Sequence, residues 1–99
     1  MGTFVIDTQN GRVATANQLR EAGLVDETFK PLPPWHPIDG PSDASTMWYV
    51  VMRKQTRGIF IGTLCIRHTG RQASLEEQGW TEVPIDEIGV EAPAAQPPG

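Results

Sequence analysis

What this chain has little of limits it first. Its 99 residues include one cysteine, Cys65, so no internal disulfide can form and no thiolate pair is available to a metal. Only 38% of residues are hydrophobic and 7% aromatic, a lean supply for a chain whose small size already makes core burial marginal. No stretch approaches the ~20 apolar residues of a membrane-spanning helix. The opening MGTFVIDTQNGR has neither a basic leader nor a long apolar run, so no signal peptide is expected. Ile6 stands where a myristoylation signal carries Ser or Thr. A cytoplasmic location is the default expectation.

Groupings that carry enzyme chemistry are equally scarce. His36 lies among prolines and His68 ends an apolar run, without a second histidine or cysteine at metal-ligand spacing. Neither stands in a recognisable relation to a nucleophile. Cys65, flanked by Leu64 and Ile66, reads as a buried small hydrophobe rather than a reactive thiolate. Gly58 and Gly62 follow no phosphate-loop pattern. Glu76-Glu77 and Asp86-Glu87 read as solvated acids. The expectation is no catalysis, no cofactor and no metal.

Glycine and proline, by contrast, are plentiful: ten and nine. They push the chain towards loops and short elements. Asn10-Gly11 is a dipeptide favoured by type I′ turns and predicts a hairpin of residues 3–8 against 12–15. Thr15 and Gln18 fit a capping box and Gly23 a left-handed stop, so a helix is predicted near 16–22 with Leu19 and Ala22 facing inward. Five prolines between 31 and 41 exclude a helix or an interior strand and predict a stiff extended connector.

The strongest local signal is the ribbon 47–66. Met47 to Met52 is a continuous apolar run, and Ile59, Phe60, Ile61, Leu64, Cys65 and Ile66 follow a polar turn. Continuous runs of this kind predict strands buried on both faces. With the turn centred on Gln55-Thr56, Met52 would face Ile59 and Val51 would face Phe60. Ser74, Glu77 and Gly79 then predict one helical turn, and TEVPI a short edge strand at 80–83. The predicted fold is small α+β: an antiparallel sheet centred on the 47–66 hairpin, flanked by the N-terminal hairpin and strand 80–83, with two short helices. It forms one domain over 1–90, and 91–99, EAPAAQPPG, is expected to be a disordered tail.

Charge is uneven along the chain. Between Ala44 and Leu75 there is no acid, while Arg53, Lys54, Arg57, Arg67 and Arg71 supply five positive charges in a chain of net charge −4. Interleaved with Trp48, Tyr49 and Phe60, those cations would suit phosphates and bases. The cations, however, gather at opposite ends of the ribbon, nearly 30 Å apart at ~3.3 Å per residue. Trp48-Tyr49-Val50-Val51 followed by Gly58-Ile59-Phe60 resembles the hybrid-binding domain at the N-terminus of eukaryotic-type ribonucleases H. Where that family continues into a tryptophan-containing helix start that stacks on the duplex, this chain has IGTLCIRH, so the resemblance does not reach the binding residues.

Trp35 lies within PPWHP, where PxxP spacing suits a polyproline helix; the competing placement is a ring folded back onto the ribbon. Taken together, the residues predict a non-enzymatic accessory or binding protein acting through protein contacts. The arginine-rich composition suggests a bacterial or phage-encoded modulator. Trp35, Trp48, Arg53, Lys54, Arg57 and Phe60 are the partner-binding candidates. A nucleic-acid-binding module using the basic aromatic ribbon 47–71 is the alternative. Short helices leave the ribbon under-covered, so a protein partner or a homo-oligomer, a dimer first, is expected, with no membrane association.

Overall fold

The structure is a computed structural model that describes residues 4–41 and 45–90. The predicted tail at 91–99 lies outside the described residues. The chain is a mixed α+β fold with small antiparallel sheets and two short helices. In order it runs β1 (Phe4–Asp7), β2 (Val13–Thr15), α1 (Ala16–Glu21), β3 (Trp35–Pro37), β4 (Tyr49–Thr56), β5 (Ile59–Ile66), α2 (Gly70–Glu77), β6 (Thr81–Glu82) and a 3-10 turn at Ile85–Glu87.

Among the described residues the strands form two three-stranded sheets, β2-β1-β3 and β5-β4-β6, rather than one sheet centred on the ribbon. The reason is that both edges of β1 are occupied, by β2 on one side and β3 on the other. The N-terminal hairpin therefore stacks on the ribbon face to face. Phe4, Ile6 and Val13 meet Val51, with Tyr49, Phe60 and Leu64 packed around them, in the layer between the sheets. On the outer face of the first sheet, Val5, Ala14 and Trp35 pack beneath Leu19 of α1. On the outer face of the second, Val50, Met52 and Cys65 pack with Leu75 of α2 and Trp80. The layers thus run helix, sheet, sheet, helix. Val50, Val51 and Met52 of β4 are buried on both faces, as their unbroken apolar run predicts; the second run departs from expectation, since in β5 only Cys65 is buried and Ile59 and Ile66 are exposed.

The hairpin turns depart from expectation. The ribbon turns at Arg57-Gly58, both at positive φ (53° and 83°), which is the type I′ geometry of a two-residue loop. Met52 therefore faces Thr63 and Val51 faces Leu64, four residues beyond the predicted register. An even shift leaves each side chain on its predicted face. In the N-terminal hairpin Gly11 is at φ 77°, but Asn10 does not share its positive φ. The buried Asp7 carboxylate instead accepts the Gln9 and Asn10 amides at 2.8 and 3.0 Å and organises a longer loop.

Helix α1 has both halves of its capping box, and Gly23 follows at φ 75°. Ala22, predicted to face inward with Leu19, is exposed, because the helix ends at Glu21 and Ala22 is its C-cap. Helix α2 starts a turn earlier than predicted, capped by Thr69, whose hydroxyl accepts the Gln72 amide. The proline segment, expected to be a mere connector, supplies the edge strand β3. Strand pairing there is confined to three residues, and Pro37, which has no N–H, ends it.

Candidate functional site

The most developed concavity lies on the outer face of the first sheet. Residues 24–32 double back after α1: Val25 bridges Pro31, and the Leu32 amide donates to the Leu24 carbonyl at 2.9 Å. Asp26 builds the turn. Its carboxylate accepts from the amides of Thr28 (2.8 Å) and Lys30 (3.0 Å) and from the Thr28 hydroxyl (2.7 Å). Those bonds, led by the Lys30 amide, hold Asp26 below the ordinary carboxylate pKa. The residue after the turn is Phe29, at φ 62°. This is the left-handed region that favours glycine and costs a residue with a β-carbon ~1–2 kcal/mol. Its ring is 60% exposed, with the Arg20 guanidinium 5.5 Å from the ring centroid.

Between this turn, α1 and β3 runs an open groove of about 530 Å³. Its floor is Val5, Leu19 and Trp35; Pro31, Pro33 and Pro37 line it further. Most of the lining is apolar. The charged or titratable residues in it are Arg20, Lys30 and His36, with no Asp or Glu. Among the described residues, Arg20 and Lys30 have no carboxylate within salt-bridge distance; the ion pair found is Arg67–Glu82 at 3.2 Å. The volume and the sparse polar groups suit a binding site.

The six residues singled out from the sequence do not converge on one site. Trp35 lines the groove but is only 9% exposed, and it packs on α1 rather than on the ribbon. Arg53 donates to the Gly11 carbonyl at 2.7 Å, and the Phe60 amide donates to the Thr8 carbonyl at 2.8 Å. The Phe60 ring fills the space left by the missing side chain of Gly11, where a Cβ would come within 2.8 Å of it. Arg53 and Phe60 thus join the two sheets. Lys54 is half-buried on the ribbon and Arg57 occupies the exposed turn. Trp48, 65% exposed, lies at the opposite end beside Met47, which is 72% exposed.

Sequence reasoning missed Arg20, Phe29 and Lys30. A signal was present in Asp26-Glu27-Thr28, an acid placed to bond the amides two and four residues on. The groove itself depends on residues 5 to 37 meeting across a sheet, which local patterns do not report. Cys65 is buried, and burial pushes its thiol pKa up, opposed by Arg71 and reinforced by Glu82 and Glu76. Among the described residues no three His, Cys, Asp or Glu side chains gather as a metal site, and no helix is long and apolar enough to cross a membrane. Comparison with known protein families, curated proteins and solved structures finds no match.

Proposed function

We propose that this is a non-enzymatic binding protein that works through contacts with a protein partner, and that the partner docks in the groove beside Phe29. One observation carries the reading: an apolar groove whose charged lining residues, Arg20 and Lys30, are both cations, in a chain of net charge −4. The exposed ring of Phe29 adds to it, because backbone strain concentrates where it serves function. The nucleic-acid alternative has less support, since Arg53 and Arg67 are engaged within the chain and the remaining ribbon cations are dispersed.

A photo-crosslinking residue placed at position 29 should capture a partner protein from lysate of the source cells, and Arg20→Glu should suppress that product. The same probe at position 85, exposed but outside the groove lining, should capture none of it. Equal products from both positions, indifferent to Arg20, would remove the groove from the function.

A further inference from the structure

We infer that the groove receives a proline-rich segment of the partner in the polyproline II conformation, with acidic residues beside its prolines. This rests on the groove being a protein-docking site and specifies what docks there.

The backbone edge decides the conformation. An incoming strand needs outward-facing N–H groups on β3. The Trp35 N–H already donates to the Leu32 carbonyl at 2.9 Å, His36 is paired with Ile6 of β1, and Pro37 has no N–H. Pro31 and Pro33, further along the lining, have none either. Strand addition is therefore closed off, and the occupant must be held by its side chains. A polyproline II helix has a fully solvated backbone without internal hydrogen bonds, so it loses no pairing on entering such a groove. The lining is of matching kind: the flat rings of Trp35 and Phe29 beside three pyrrolidine rings, as in the aromatic-lined grooves that take proline-rich ligands.

Two polar features orient the ligand. The Trp35 indole N–H has no hydrogen-bond partner among the described residues, and among those residues no fully buried side-chain donor is left unpaired, so this N–H is not fully enclosed. It can donate to a backbone carbonyl, the acceptor that a polyproline II segment leaves free. Arg20 and Lys30, neither within ion-pair distance of a carboxylate among the described residues, are the charged side chains of the lining and set the sign of the flanking charge, although the Asp26 carboxylate of the adjoining turn attracts Lys30. Arg20 uses one guanidinium nitrogen on the Asn17 side chain at 3.2 Å and has further donors to offer.

The test titrates the full chain with the peptide EPPLPPE and follows the Trp35 indole N–H resonance by NMR. A saturable shift is expected. KPPLPPK should bind at least about tenfold more weakly, and EAALAAE should produce no saturable shift. Arg20→Glu should weaken EPPLPPE by a similar factor, and Phe29→Ala should abolish the shift while the resonances of Val50 and Met52, in the opposite layer, stay in place. Equal binding of the acidic and basic peptides, or the absence of saturation by either proline peptide, overturns the inference. Saturation of the groove by dodecanoate with no response to the peptides overturns it in favour of an anionic small molecule. If the position-29 crosslink to a protein persists while the peptides fail, the docking site stands and its polyproline ligand falls.

Discussion

Phe29 holds a left-handed backbone conformation that glycine would hold without cost, and it keeps an aromatic ring in water to do so. Replacing it with glycine or alanine removes the ring in either case, but only glycine relieves the backbone. Phe29→Gly should therefore be more stable than Phe29→Ala by about 1 kcal/mol, read from denaturant midpoints. Three residues earlier, the depressed pKa of Asp26 fixes a pH window. A carboxylate favoured in the folded state stabilises its turn above the ordinary value of ~3.9, and that contribution is lost as pH falls through the lower folded value. The Thr28 and Lys30 amide resonances should titrate together, with a midpoint below that of an ordinary aspartate. Cys65 shifts the other way. Burial disfavours its thiolate, so a thiol reagent should label it slowly in the native protein and rapidly after denaturation.

At the scale of elements, the turns decide register. Arg57 occupies the first position of a type I′ turn at φ 53°, a place where Asn is better suited. Arg57→Asn should raise stability by about 0.5–1 kcal/mol and leave the Thr56–Ile59 pairing intact, as measured by urea unfolding and cross-strand NOEs. This turn also shows where reading the sequence stops. The apolar runs at 49–52 and 64–66 and the Thr15–Gln18 capping box are signals carried by neighbouring residues, so they are legible. The position of the turn depends on the backbone conformations that Arg57 and Gly58 adopt together, and Arg-Gly is not a characteristic turn dipeptide. Strand β3 was hidden because proline argues against pairing, yet an edge strand needs N–H groups on one side only. For α2, Ser74 and Glu77 had the spacing of a cap, but Thr69 and Gln72 had the same kind of spacing one turn nearer the ribbon.

At the scale of the whole molecule, the ribbon faces are not the surface open to a second copy. The N-terminal sheet and α2 cover Val50, Val51, Met52 and Cys65 of the ribbon from within the chain. The apolar surface left at its open end is Met47, Trp48 and Ile66, each more than half exposed. A dimer would join there rather than across the ribbon faces. Sedimentation at micromolar concentration should show a dimer that Trp48→Ser returns to monomer. A wild-type monomer would leave the groove as the protein's binding surface. The groove was the least legible feature of all, because its floor comes from β1, its wall from α1 and its rim from a turn, and no single stretch contains its pattern.

Strand β1 is buried on both faces and bonded along both edges. Consider what that means during synthesis. Phe4, Val5 and Ile6 leave the ribosome ahead of the residues that cover them: β3 follows about thirty residues later and the Phe60 and Leu64 side chains more than fifty residues later. At ~5–20 residues per second, these apolar side chains wait several seconds for their neighbours. The chain cannot fold in the order in which it is made: its first strand must be kept from other molecules until the ribbon arrives to close over it.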